Sequence, residues 1–311
     1  VEIYYWKVNP SNFGDELNPW LWKKILPEIF SSSEVGDNSG KLFVGIGTLI
    51  NHKLPKERDK IIFGAGVGYG DLPTIDDSYS IYFVRGPLSA DALKLSKDKF
   101  ITDPAILINS CLEDTKKKIV NKHKISFSPH YSSYKWGDWD EVCRKVGIKC
   151  ISPFQKVDKV ILDICSSELV ITDSMHGAIF ADSLRIPWIP IHPNYGHILD
   201  FKWRDWSQSM CLEYAPHYVD PVWRGGCHKP FKQQIKNLIK RGLHSSGVWR
   251  EGWEPPEMPR SKPGVVEKAG AQLLRLANNE QRFLSRDNIF EDKLNMCLEK
   301  VEQFRREFAP R

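Results

Sequence analysis

A repeated alternation constrains this chain most: short apolar, β-rich runs take turns with Gly-rich turns and amphipathic stretches. The runs are EIYYW (2–6), KLFVGIG (41–47), KIIFGAG (60–66), SIYFVR (80–85) and AILIN (105–109), with PWLWKKIL (19–26) and PLSADALKL (87–95) among the segments between them. Strands that each feed a helix before the next strand pair in parallel, because the helix must carry the chain back across a face of the sheet. Continuous apolarity within each run, rather than in/out alternation, predicts strands buried on both faces. The fold class expected is therefore α/β.

The lysine-heavy segment EDTKKKIVNKHK (113–124) interrupts this rhythm, which resumes with ISFSPH (125–130), IKCIS (148–151), ELVITD (168–173) and PWIPI (187–191). A domain boundary is expected there, giving a first α/β domain over 1–118 and a second over 119–215, with a helical region over 216–311. The 311 residues exceed what one compact core usually organises. KPFKQQIKNLIKRGL (229–243) places Phe231, Ile235, Leu238 and Ile239 on one helical face and Lys229, Lys232, Lys236, Lys240 and Arg241 largely elsewhere. Such a helix rests on an anionic membrane surface or docks its apolar face on a domain; both readings are open. After the proline-rich EPPEMPRSKP (254–263), Val266, Ala269, Leu273, Leu276 and Phe283, then Phe290, Leu294, Cys297, Val301, Phe304 and Phe308, form heptad-like seams. They predict two helices over 264–308, most simply an antiparallel hairpin, whose seams are covered by its own body or by another subunit.

Composition excludes several classes. No apolar run approaches the ~20 residues that span a bilayer, and no basic-then-apolar leader precedes the strand expected at Val1, so neither a membrane span nor a secretory signal is expected. Seven scattered cysteines with no CxxC pair favour free thiols in a reducing cytosol over disulfides or zinc. A net charge of +5 without a dense basic stripe argues against a nucleic-acid partner. Of the eleven tryptophans, Trp20, Trp22, Trp136, Trp139, Trp203, Trp206 and Trp223 fall in polar surroundings, where an aromatic face either stacks on a sugar or packs in a core.

Ligands of parallel α/β domains gather where strand C-termini run into helices. Four such regions carry more polar chemistry than capping requires. In NPSNFGDELNPW (9–20), Asn12 and Gly14 permit a sharp turn and Asp15 caps a helix or serves a ligand. The glycines of VGIGTLI (44–50), including Gly47, and of FGAGVGYG (63–70) match neither GxGxxG nor GxxxxGK[ST], which removes the main support for a nucleotide cofactor. Arg85 in VRGPLSADAL (84–93) ends a strand, placed either to fork onto an anion or to pair with a neighbouring acid. In the second half, FSPHYSSYKWGDW (127–139) ends a strand at His130, and TDSMHGAIFADSL (172–184) crowds Asp173, Ser174, His176 and Gly177 into one turn. Capping needs only Asp173 or Ser174, so His176 is in excess, and a His in a first helical turn is held toward its neutral form by the dipole. No metal-ligand spacing and no GxSxG elbow is present, so no metal is expected.

Taken together, NFGDELNPWLW (12–22), VGIGTLI (44–50), VRGPLSADAL (84–93), DPAILI (103–108), SPH (128–130) and ITDSMHGAIFADSLRIPWI (171–189) resemble the polysaccharide pyruvyl transferase family, especially bacterial exopolysaccharide ketal pyruvyltransferases. The resemblance runs over about residues 1–206 and rests on the order and spacing of motifs that are each weak alone. It implies two Rossmann-like domains facing across a cleft, as in B-type glycosyltransferases, with a helical C-terminal extension. It also implies phosphoenolpyruvate as donor substrate rather than a cofactor, and a hexose of a bacterial exopolysaccharide or of its lipid-linked repeat unit as acceptor, with work on the cytoplasmic side of a bacterial inner membrane. Some members carry Arg two residues before the matching histidine; here Met175 stands there, and Arg85, Arg185, Lys202 or Arg204 is expected to substitute.

Ketal formation needs an acid for the enol methylene and a base for the sugar hydroxyl. His176 is the candidate acid and His130 the candidate base, in roles that are exchangeable, with Asp15 as a further catalytic candidate. Asn12, Gly14, Gly47, Arg85, Asp173, Ser174 and Gly177 are the candidate substrate-binding residues. The rival readings are a sugar-nucleotide-dependent glycosyltransferase of the same fold and a catalytically silent carbohydrate-binding protein. Oligomeric state is open.

Overall fold

The computed structural model describes residues 1–7, 9–30, 40–111, 123–193, 195, 198–225, 231–246, 256, 258–279 and 281–310. Two all-parallel sheets organise them. The first contains β1 (Glu2–Ile3), β2 (Leu42–Val44), β3 (Lys60–Phe63) and β4 (Tyr79–Phe83) in simple order 1-2-3-4. The second contains β5 (Ser126–Ser128), β6 (Lys149–Cys150), β7 (Val170–Thr172), β8 (Trp188–His192) and β9 (His217–Tyr218) in order 6-5-7-8-9. The second order reverses direction at β5, so the segments leaving β5 and β7 part to opposite sides. In sheets of this kind ligands usually bind beyond the strand C-termini at such a switch point.

Helices α1 (Phe13–Ile25), α2 (Pro27–Phe30) and α3 (Pro87–Ala92) accompany the first sheet. With the second come α4 (Tyr131–Trp136), α5 (Trp139–Val146), α6 (Val157–Cys165), α7 (Met175–Ser183) and α8 (Asp200–Ser209). Three further helices follow: α9 (Phe231–Ser245), α10 (Pro263–Asn279) and α11 (Asp287–Phe308). Among the described residues no helix is long and apolar enough to cross a membrane, and no described cysteine is in a disulfide.

Three details differ from the sequence expectations. The run AILIN is not a strand but part of a 3₁₀ segment, Pro104–Cys111, opened by Pro104 and by Asp103 Oδ1, which accepts the Ala105 N–H at 3.0 Å. Its side chains from Pro104 to Ile108 are buried, and an apolar run buried all round has no period that separates strand from helix. The last strand of the second sheet, β9, lies beyond the boundary placed at residue 215. The two C-terminal seams are buried against the protein's own body, one of the two covers expected, but against different parts of it rather than as one antiparallel hairpin. Val266, Ala269, Leu273 and Leu276 pack with Trp139 and Val142 beside the second sheet. Phe290, Cys297, Val301 and Phe304 join the core of the first, where the Phe304 ring lies 5.1 Å from Phe43 and 5.7 Å from Phe63. Between these helices Phe283 exchanges backbone hydrogen bonds with Trp188 of β8, at 3.0 and 2.8 Å.

Of the tryptophans in polar sequence surroundings, Trp22, Trp139, Trp203 and Trp206 are core residues. The sheets also share one apolar core: Phe13 at the start of α1 meets Phe180 of α7 edge to face, with ring centroids 5.3 Å apart. This contact sets the first turns of α1 and α7 against each other, and the candidate site lies there.

Candidate active site at the meeting of the α1 and α7 turns

Asn12 caps α1, its Oδ1 accepting the N–H groups of Gly14 (3.0 Å) and Asp15 (3.2 Å). The cap role thus falls to Asn12, which also donates from Nδ2 to Asp15 Oδ2 at 2.5 Å and fixes that carboxyl in place. Asn18, one turn later, is buried; it donates to the carbonyl of Ile46 at 3.0 Å and accepts its N–H at 2.9 Å, which holds the glycine loop after β2 against α1. Gly47 in that loop has φ +114°, a left-handed conformation that favours glycine, and its carbonyl accepts the Gly66 N–H.

The second turn comes from β7. Ser174 caps α7, its Oγ accepting the Gly177 N–H at 3.4 Å. Asp173 is fully buried and ties the end of β7 to the segment that follows β5: Oδ1 accepts the His130 N–H at 2.7 Å, and Oδ2 accepts from the Ser133 hydroxyl. His130 is itself the cap of α4, with Nδ1 accepting the Ser132 N–H at 3.3 Å. While Nδ1 acts as an acceptor, a ring proton sits on Nε2, which makes that face of the imidazole a donor and disfavours His130 as the base.

Gly177, a candidate substrate-binding residue, faces the ends of β5 and β7. A Cβ there would strike the hydroxyls of Thr172 and Ser128, so this glycine lets α7 sit closely on the end of β7. Gly14 works differently, because a Cβ on it would overlap Nδ1 of His176. The imidazole from the second half therefore rests directly on the backbone of α1, one residue from Asp15. His176 as a residue is half-buried, yet its Nε2 has no exposed surface and no hydrogen-bond partner. A buried polar atom left unsatisfied costs about 1–3 kcal/mol, which a structural histidine would not be expected to carry.

The electrostatics push these groups apart. Burial, then the positive charges of Lys202 and Arg85, lower the His176 pKa to about 3, so the ring is neutral at physiological pH. Burial raises Asp15 to about 6, opposed by the Asn12 hydrogen bond and Lys202 and assisted by Glu16. Asp173 is likewise raised to about 6 by burial, against the bonds from Ser133 and His130 and the charge of Lys202.

One cation acts on all three groups. Lys202, on α8, is 7% exposed and donates to the Tyr69 hydroxyl at 3.0 Å. Of the four basic residues expected to replace an arginine at position 175, it is the one placed at this site. Arg185 is engaged elsewhere, with Ser285 and Asp287. Arg204 is exposed. Arg85 is fully buried, its Nε 3.0 Å from Asp205 Oδ2 and its Nη1 2.9 Å from Thr48 Oγ1, so the ion-pair alternative describes it and its influence on His176 acts at a distance. Sequence reasoning passed over Asp200 and Tyr214. Asp200 Oδ1 and Tyr214 OH are buried without a hydrogen-bond partner, and the charges of Asp200 and Asp173 both add to the raised pKa of Tyr214. Neither residue lies in a recognisable motif, so no signal marked them. Among the described residues, no three His, Cys, Asp or Glu side chains gather as a metal cage.

Residues 12–195 match the family model for polysaccharide pyruvyl transferase, an interval that opens at the α1 cap and spans every turn described above. The chain belongs to the polysaccharide pyruvyl transferase family. It is also 38% identical over 269 residues to the succinoglycan biosynthesis protein ExoV of Rhizobium meliloti (strain 1021), covering 84% of this chain and 78% of that protein. As a polysaccharide pyruvyl transferase, it is an enzyme that transfers a pyruvyl group to polysaccharide.

The ionisable groups of this candidate site set an expectation for stability. The His176 pKa is lowered in the folded state, so the stabilisation from keeping it neutral is full above about pH 6.5 and is lost as pH falls toward 3. Asp15 and Asp173 act in the opposite sense: their pKa values are raised, so their ionisation costs stability above about pH 6, a cost relieved as pH falls toward 3.8. His176→Gln removes only the first effect. Its stability relative to wild type should rise by about 3 kcal/mol between neutral pH and pH ~4, read by denaturant unfolding at each pH.

Proposed function

We propose that this protein is a ketal pyruvyltransferase of bacterial exopolysaccharide assembly, with phosphoenolpyruvate as donor and a hexose of a lipid-linked repeat unit as acceptor. The observation that carries this reading is the pair Asp15 and His176, set on touching turns with their ionisation pushed in opposite directions beside Lys202. Two groups displaced in this way are suited to act as an acid and a base at one pH.

In this reading the donor's phosphate and carboxylate lie against Lys202 and the N-terminal turn of α7, where a cation and the helix dipole both favour anions. The negative charge of the donor raises Asp15 further, so its carboxyl is protonated and gives its proton to the methylene carbon, which leaves C2 electrophilic. Neutral His176 takes the proton of the attacking sugar hydroxyl. A second hydroxyl of the same hexose then forms the other C–O bond at C2 as the C2–O bond to phosphate breaks; its proton returns to the Asp15 carboxylate, the proton held by His176 leaves with the phosphate, and the ketal is closed. The assignment departs from the roles first given to the histidines: His176 takes the base role from His130, because an imidazole held neutral is a poor acid, and the acid role passes to Asp15. Asp200 and Tyr214 offer their unpaired oxygens to acceptor hydroxyls. The two sheets are read as Rossmann-like halves of a B-type glycosyltransferase-like body with this site in the cleft between them, working on the cytoplasmic face of the inner membrane.

The test is phosphate release from phosphoenolpyruvate in the presence of β-linked galactosides, glucosides and mannosides, with mass spectrometry for a ketal on the sugar. Product on any of them establishes the reaction. Failure to bind phosphoenolpyruvate, together with binding of a nucleoside diphosphate, would move the assignment to the sugar-nucleotide reading. Asp15→Asn should lower kcat by about 10²–10³ and remove the fall of kcat on the alkaline side, since that limb reports loss of the acid's proton. An unchanged alkaline limb would take the acid role away from Asp15.

A further inference from the structure

Helix α9 is turned outside in. On a 3.6-residue helix, Leu238, Ile239 and Leu243 centre on a stripe roughly opposite the one shared by Asn237 and Arg241, four residues apart. A helix that docks on a soluble domain buries the apolar stripe. Here the half-buried described side chains of the helix are Asn237 and Arg241, while Leu238 is 68% exposed, Ile239 60% and Leu243 40%. The side chains of Phe231 and Ile235, also placed on the apolar face by the sequence, lie outside the described residues; over the described part of the helix, Leu238, Ile239 and Leu243 are not docked on the body.

Scattered exposed apolar side chains are ordinary, but three on one stripe of one helix are a patch that asks for a cover. The charges indicate which kind. The helix FKQQIKNLIKRGLHS carries Lys232, Lys236, Lys240 and Arg241 and no Asp or Glu. Lys236 and Lys240 are exposed. Lysine stems can lie along an apolar surface while the ammonium groups reach outward, which suits them to the boundary between acyl chains and headgroups. A protein partner would have to supply an apolar groove with an acidic rim; an anionic bilayer supplies both properties everywhere on its surface. At 15 residues the helix is too short to span, and it fits a position in the plane of the interface.

We infer that α9 is an interfacial anchor that seats this protein on bilayers containing anionic phospholipid, through Leu238, Ile239 and Leu243 with Lys236 and Lys240 at the headgroups. Binding is read without donor or acceptor, so its outcome is independent of the transfer reaction proposed above.

The experiment is co-sedimentation of the full chain with vesicles of phosphatidylcholine alone and of phosphatidylcholine with phosphatidylglycerol, at low and high salt. The wild-type chain should sediment with the anionic vesicles, weakly or not at all with the neutral ones, and should be partly released by salt. Each lysine near an anionic surface strengthens binding about fivefold, so Lys236→Glu with Lys240→Glu should reduce it by more than tenfold. Leu238→Glu with Ile239→Glu should abolish it while leaving transfer to a soluble glycoside unchanged; these positions are exposed, so folding is not expected to suffer. Wild-type chain left in the supernatant with anionic vesicles would overturn the inference, as would a Leu238/Ile239 variant that sediments like wild type. A concentration-dependent dimer lost in that variant, with no vesicle binding, would assign the face to a second copy of the chain instead.

Discussion

His176→Gln should reduce pyruvyl transfer by about 10²–10⁴-fold, the usual range for a lost general base, while the protein folds normally at neutral pH. The two halves of this expectation come from the same atoms. Nε2 has no hydrogen-bond partner, so removing it breaks no bond in the fold. The ring packs on the Gly14 backbone, and glutamine keeps most of that volume in contact. His176→Ala would mix lost chemistry with a cavity between α1 and α7, and Gln is the better probe for that reason. Neutral-pH unfolding within about 1 kcal/mol of wild type, together with phosphoenolpyruvate binding retained, would isolate the loss in kcat. A variant that unfolds at neutral pH, or one that keeps full turnover, would return His176 to a packing role.

The residues that could be read from sequence are those whose chemistry exceeds what their local turn requires. Asp173, Ser174 and His176 share one turn; with Ser174 capping α7, the other two were left over, and both lie where the turns of α1 and α7 meet, the candidate site. The eight strands that appear in the sequence as apolar runs are short and mostly buried, and a parallel pairing requires that pattern. β9 is two residues long, with Tyr218 73% exposed, and gives no such signal. His130 was visible as a polar strand end, but its role as a cap depends on the direction of one ring nitrogen, which spacing does not encode. Lys202 could be named only as one of four basic candidates. Its position depends on α8 following the second sheet and then crossing to lie on α3 of the first, a tertiary choice made by Asp205 three residues later.

That choice supports the prediction with the largest expected effect on stability. Arg85→Met should destabilise the protein by about 3–5 kcal/mol, the cost of leaving one partner of a buried ion pair unmatched. Arg85 and Asp205 both have no exposed side-chain surface. The carboxylate accepts Arg85 Nε at 3.0 Å, the Ser89 N–H at 2.9 Å and the Ser89 hydroxyl at 2.6 Å, while the guanidinium also reaches Thr48 and the Val67 carbonyl. The surrounding backbone is shaped to the pair: a Cβ on Gly66 would strike the guanidinium, and one on Gly86 would strike the Asp205 carbonyl. Arg85→Lys should recover little, since an ammonium cannot reproduce the planar fork that serves three acceptors in different directions. Asp205→Asn added to Arg85→Met should cost less than the sum of the single changes, because it removes the stranded charge; additivity would contradict the pairing. The functional consequence follows from the same helix. Asp205 anchors α8, and α8 carries Lys202, so loosening the pair should raise the KM for phosphoenolpyruvate more than it lowers kcat. Denaturant unfolding and steady-state kinetics on Arg85→Met at a temperature where it remains folded test both effects; an unchanged KM beside the lost stability would separate the Arg85–Asp205 network from the donor binding proposed for Lys202.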